Sequence, residues 1–333
     1  MLRLLLISKR LESSETSKKF EVKNIAGMSM KGGRKDNFFF SLLEYFPESQ
    51  RWFLKSLLQV KDEKGIDGDE VIRSWIEEYN LKKLVVDFPL STPECHTCQL
   101  DCPGAQKCPQ NSVKAVREFT HNLLNSDKKN YSRHPKKYER QRNEDDEFDF
   151  SKNILKKESH EHLLSRSFKR RLNTGFLAYW NRSIDFWIWC YYYDQILEFF
   201  NTTYDSFGNT SLMLISRFSY LRRHFPKDID LFEANVPLTL IELFRSKVIL
   251  KKDLVHLFDM DLMAEARLDI IQKIEKKLNI FIYDSDLEIL VKNVRAFESF
   301  ILAVCGQNLY LNKSQELPDW TLPQKTKFIV PTF

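Results

Sequence analysis

The residues with the clearest chemical potential lie between Leu84 and Cys108, which read LVVDFPLSTPECHTCQLDCPGAQKC. A short apolar strand ends in one acid, Asp87, the chain turns at Pro89, and Cys95, Cys98, Cys102 and Cys108 follow with C-x2-C-x3-C-x5-C spacing. A carboxylate at a strand end can hold a hard divalent cation, the role acids play in nucleases that use Mg2+ or Mn2+. It can equally cap a helix or form a turn. Four thiols in one loop can converge on a single ion, and thiolate ligation then replaces the packing that such a loop lacks. Tetrahedral Zn2+ is the first expectation. An iron–sulfur cluster stays open although the run is not the usual C-x2-C-x2-C, and unligated thiols or a labile disulfide are the plain alternative. His96 lies among the thiols and reads as a bystander.

The compartment bears on the thiols. The opening MLRLLLISKR is too short for a signal-peptide core and no small-residue cleavage site follows it. The most apolar later run, Ile184 to Tyr193, contains Asp185 and is too short and polar to span a bilayer. The expectation is a cytoplasmic protein without a membrane partner, where clustered cysteines point to metal before disulfide.

The elements that must position these residues can be read in order. Ile25 to Met30 reads as a strand leading into a Gly32-Gly33 turn, and Phe38 to Phe46 and Arg51 to Val60 read as two more, making an antiparallel meander. Asp67-Gly68-Asp69 offers a cap for a helix whose face is Val71, Ile72, Trp75, Ile76 and Tyr79. A crossover helix returns the chain parallel to an earlier strand, so the strand Leu84 to Asp87 should lie beside the first. Their C-terminal ends, at Ser29 and Asp87, would then meet at the sheet edge where ligands of open α/β sheets bind.

Further on, Val113, Val116, Phe119 and Leu123 predict a helix. Leu172 to Phe200 is strongly aromatic, with Trp180, Trp187, Trp189 and Tyr191 to Tyr193, and reads as core with an aromatic platform for bases as the alternative. Ser211 to His224 predicts a helix and Asp230 to Val236 a strand carrying Glu233, stopped at Pro237. Leu238 to Lys247, Asp261 to Leu278 and Leu287 to Leu311 predict helices, and Phe328 to Val330 a closing edge strand.

Charge is concentrated in one segment. Residues 126–171 hold 14 Lys and Arg against 9 Asp and Glu, which equals the whole chain's net charge of +5. Attraction for a polyanion is therefore centred there. Interleaved acids such as Glu144 to Glu147 weaken that footprint, and a solvated, partly disordered insertion is the plainer reading.

The combination IAGMSMKGGRKD, a meander, a helix, and VVDFPLS followed by CxxC and CPG resembles a family of predicted nucleases with a ribonuclease H-like fold, mostly of unknown function. LFEANVPLTLIEL is similar to that family's strand ending in Glu-Val-x-Pro, and RAFESFILAVCGQNLYL to its late helix. The resemblance implies an α/β fold with a ribonuclease H-like mixed sheet, a largely helical insertion and C-terminal helices. The chain accordingly divides into a polar leader over 1–20, an N-terminal half over 21–125 with the cysteine loop at 95–108, the charged insertion over 126–171, which the resemblance does not match, and a helical part plus the second half over 172–333. The resemblance places Asp87, Glu233 and Glu298 in the acidic positions, with Mg2+ or Mn2+ as cofactor and nucleic acid as partner. The first-strand acid is replaced by Ser29, a weaker ligand for a hard cation than a carboxylate, and Glu298 stands where the family has Asp. Asp36, close by in sequence, is the alternative acid for that position.

Three functions follow. The first is a metal-dependent phosphodiesterase using Asp87, Glu298 and Glu233. The second is a non-catalytic nucleic-acid- or protein-binding module stapled by a metal at the four cysteines. The third is an actin-like nucleotide-binding protein that uses Gly32-Gly33 as a phosphate turn.

Overall fold

The structure is a computed structural model and describes residues 23–30, 38–61, 65, 67–144, 164, 166–174, 176–200, 212–322 and 326–333. The leader, the Gly32-Gly33 turn and Asp36 lie outside the described residues, as do residues 145–163 of the charged segment.

A six-stranded mixed sheet organises the chain. Its strands are β1 (Lys23–Ser29), β2 (Phe38–Phe46), β3 (Arg51–Val60), β4 (Lys83–Val86), β5 (Asp230–Glu233) and β6 (Ile280–Phe281), in the order β5-β4-β1-β2-β3-β6. The first three form the antiparallel meander; β4 joins β1, β5 joins β4 and β6 joins β3 in parallel. Both faces are covered, which is why β2 can read FFFSLLEYF with only its end exposed. Alternation sends Ala26, Met28 and Phe40 into one core, under helix α1 (Gly68–Glu78). It sends Ile25, Leu43 and Val85 into the other.

The expected helix after the meander is α1, and the side chain of its N-cap Asp67 accepts from Asp69 N. It returns the chain so that Met28 pairs with Val86 in parallel register. Next come α2 (Asn111–Arg133), α3 (Pro135–Glu144), α4 (Arg166–Thr174), α5 (Ser183–Phe200) and α6 (Leu212–His224). The second half adds α7 (Val236–Arg245), α8 (Lys251–His256), α9 (Met263–Leu278), α10 (Asp284–Lys292) and α11 (Val294–Leu311). The aromatic run is core for the most part: Trp187, Trp189 and Tyr192 on α5 are buried, whereas Tyr179 and Trp180 before it are exposed. Asp127, fully buried on α2, accepts from Leu164 N and Lys169 Nζ, tying α4 back to α2 inside the charged segment.

Several elements differ from the expectation. The helix expected over Leu287 to Leu311 is two helices, because Asn293 takes an extended conformation and its side chain caps Arg295 N and Ala296 N. The strand expected over Asp230 to Val236 stops at Glu233, and Asn235 caps α7 by accepting from Leu238 N. The short β6 was not expected. At the far edge Phe328 bridges Glu233, with Glu233 N donating to Lys327 O and Ile329 N to Glu233 O, so the C-terminal segment continues the sheet beyond β5.

The helix that matters most for the site is α11, which lies on β1 with almost no gap. A methyl group on Gly27 would stand 2.2 Å from Ser299 O and 2.4 Å from Ala303 N. Only a residue without Cβ lets the helix backbone approach the strand this closely. Ser41 on β2 and Ser299 on α11 share a 2.6 Å hydrogen bond that fixes the helix in register.

Candidate acidic site at the sheet edge

Ser29 is the last residue of β1 and Asp87 follows β4 directly. The Met28–Val86 pairing makes the two level at the C-terminal edge of the sheet. Ser29 Oγ lies 2.9 Å from Asp87 Oδ2, and Met30 N donates to Asp87 Oδ1 at 3.2 Å. Glu298 enters from the second turn of α11, adjacent to the Ser299 that anchors the helix, and its Oε2 stands 3.1 Å from the same Ser29 Oγ. Arg295, one turn earlier, donates from Nη1 to Glu298 Oε2 at 2.6 Å. Residues 29, 87 and 298, drawn from three separate elements, thus meet at one hydroxyl.

A serine hydroxyl carries one proton and so can donate to only one of two carboxylates. Two acidic oxygens lie within 3.1 Å of it, and Arg295 brings a positive charge to the Glu298 side of the pair. Ser29 is fully buried, while the Glu298 side chain is 12% exposed and that of Arg295 29% exposed, so the cluster opens to solvent past Arg295.

Glu233 is engaged differently. It pairs in register with Val86, so Ala234, whose N–H donates to Val86 O, occupies the level of Asp87. The Glu233 carboxylate accepts from both terminal nitrogens of Arg182, at 2.9 and 2.8 Å, and from Leu90 N at 2.8 Å. Arg182 also grips Asp185 through Nε and Nη2 and donates to Ser91 Oγ. Burial alone would lower the Arg182 pKa, but Asp185 and Glu233 outweigh it and hold the guanidinium well above its ordinary value. This buried cluster fixes the segment that follows Asp87, so Glu233 acts as a clamp for the loop while Asp87 and Glu298 face each other across Ser29.

Beyond the clamp, Glu94 Oε1 accepts from Ser183 N and Ser183 Oγ at the start of α5. Cys95, Cys98, Cys102 and Cys108 are all free thiols, Cys95 and Cys102 exposed and Cys108 buried. Partial burial first, then the nearness of Cys108, Cys102 and Cys98, pushes the Cys95 thiol up. His96 is turned to Tyr179 O, at 3.2 Å. Among the described residues no three His, Cys, Asp or Glu side chains come together as a group that could hold a metal ion. No helix among them is long and apolar enough to cross a membrane.

The sequence reading missed Arg295 and Arg182. Arg295 carries a usable signal, since it precedes Glu298 by one helical turn. Arg182 carries none, because its partners Ser91 and Glu233 lie 91 and 51 residues away. No family model, no curated protein and no solved structure matches this chain.

Proposed function

We propose that the chain is a metal-dependent phosphodiester hydrolase with a ribonuclease H-like fold, whose surviving acids are Asp87 and Glu298. The observation that carries this reading is the meeting of Ser29, Asp87 and Glu298 at the C-terminal edge of the sheet. Supporting it is the strand order, an antiparallel meander followed by a crossover helix and parallel strands on the β1 side. The donor types suit a hard divalent cation: two carboxylates from separate elements face one hydroxyl. Mg2+ or Mn2+ bound there would polarise a phosphoryl oxygen and activate water.

The chain's own residues then divide the work. Asp87 is oriented by Met30 N and Ser29, and Glu298 by Arg295, so both oxygens are positioned before substrate arrives. Arg295 stands at the mouth of the site on Glu298, where its guanidinium would also be placed to take a phosphate oxygen. Nucleic acid is the substrate class we assign. Lys128, Lys129, Arg133, Lys136, Lys137 and Arg140 are exposed along the end of α2 and on α3, a stretch suited to phosphate contacts.

The test is cleavage of single-stranded and duplex DNA and RNA by the full chain with Mn2+. D87N should abolish it, and S29D, which restores a third carboxylate, should raise turnover. Cleavage that survives D87N overturns the reading. Salt-sensitive binding with no turnover, even in S29D, would instead support the binding-module alternative, which Ser29 and the Arg295–Glu298 pair favour.

A further inference from the structure

We propose that Cys95, Cys98, Cys102 and Cys108 take up one thiophilic divalent ion of the zinc class, and that the loop closes around it on binding. The site is separate from the acidic cluster and does not depend on its activity. Residues 94–110 contain only two single-turn helices, Glu94–His96 and Ala105–Lys107, and their one large apolar side chain, Leu100, is 51% exposed. A loop so poor in core needs another source of order, and four thiols are what it carries.

Its two ends are already anchored. Cys95 N donates to Ala178 O at 3.4 Å, and Arg117 Nη1 on α2 donates to both Ala105 O and Cys108 O at 3.2 Å. The loop also folds back on itself, because Gln110 Nε2 lies 3.7 Å from Cys98 Sγ. This contact brings the second thiol against the segment that bears the fourth.

A second observation is the buried Oε2 of Glu94, which has no hydrogen-bond partner among the described residues. Its other oxygen is held at the start of α5. A buried carboxylate oxygen left uncompensated is costly, and a cation arriving one residue away offsets that cost. The four thiols share this loop without yet forming a ligand set, so ligation must draw the middle of the loop inward. Sulfur donors select a soft or borderline ion, whereas the oxygens of Asp87 and Glu298 select a hard one, so the two sites do not compete.

The experiment titrates reduced, metal-free full-length protein with Co2+ and then with Zn2+. Thiolate-to-cobalt charge-transfer bands that saturate at one equivalent and vanish on adding Zn2+ are expected. C98S and C102S change side chains outside the core and should keep the wild-type circular dichroism. Each should weaken Zn2+ binding by more than about a hundredfold, beyond what loss of an outer-shell partner costs. D87N should leave the Zn2+ affinity unchanged, which separates this site from the acidic one. Absence of charge-transfer bands, unchanged affinity in both serine variants, or iron with acid-labile sulfide in the protein as isolated would each overturn the proposal.

Discussion

Replacing Gly27 with alanine tests the contact on which the acidic site hangs. The added Cβ would lie 2.2 Å from Ser299 O, 2.4 Å from Ala303 N and 2.8 Å from Leu302 Cβ. Ordinary contact begins at 3.4 Å, so the Ser299 carbonyl must retreat by 1.2 Å. The two nearest atoms are backbone, and no rotamer change can absorb the movement. α11 must therefore lift from β1 at the turn that carries Glu298. A retreat of that size stretches the 3.1 Å Ser29–Glu298 contact past hydrogen-bond range and separates Glu298 from Asp87. Overpacking of a dense core costs about 1–3 kcal/mol, and a clash between backbones falls at the upper end, about 3 kcal/mol. Gly306 is an internal control: its Cβ would meet Ile25 Cδ1 at 2.4 Å and Ile25 Cγ1 and Val85 Cγ2 at 2.8 Å, all side-chain atoms. Urea denaturation followed by tryptophan fluorescence should place G27A well below G306A in stability, and G27A should also lose the nuclease activity proposed above. A G27A protein within about 0.5 kcal/mol of wild type would refute the argument that this close approach builds the site.

Two further perturbations follow from the buried charges. R182M removes the cation between Asp185 and Glu233, whose side chains are 1% and 6% exposed, and should destabilise the protein by about 3–5 kcal/mol. The double variant R182M/E233Q should recover part of that loss in the same denaturation assay, and a loss under about 1 kcal/mol in R182M would show that the clamp is dispensable. Glu275, whose Oε1 accepts from Ile282 N, has its pKa raised by partial burial above the usual 4.5. The unfolded state therefore ionises first as pH rises, and the native protein loses stability between the unfolded and the folded pKa. E275Q should be the more stable protein above that window and equal to wild type below pH 4.5, measured as melting temperature against pH.

What the sequence disclosed follows the range of the forces involved. β2 and β3 occur at the expected boundaries because apolar runs bounded by turn residues such as Pro47-Glu48-Ser49-Gln50 are local signals. The parallel return of β4 beside β1 followed from the helix between them, since a crossover helix returns the chain parallel to an earlier strand. β6 spans only Ile280–Phe281, too short to show a period, and the break at Asn293 is hidden because apolar positions recur on both sides of it. At the site, Asp87, Ser29 and Glu298 were legible as residue types, whereas their meeting depends on Gly27, whose role appears only when α11 is in place. Glu233 shows the opposite case. A strand-end acid looked like a ligand, and a guanidinium 51 residues away takes both of its oxygens.

Ser29 and Arg295 are two halves of one adjustment. A third carboxylate at position 29, fully buried and between two others, would crowd like charges that cannot all ionise without cations. With serine at that position the hydroxyl lies within 3.1 Å of both carboxylates, and Arg295 places a positive charge on Glu298. If the two acids hold an ion as proposed, serine in place of a carboxylate gives a weaker hold on it. S29D reverses the exchange. Beyond any gain in turnover, its melting temperature should fall in chelator and climb with added Mn2+ more steeply than that of wild type, since ion binding to the native state alone stabilises it by mass action. Equal dependence on Mn2+ in the two proteins would mean that Asp87 and Glu298 are held by the fold for a purpose other than an ion.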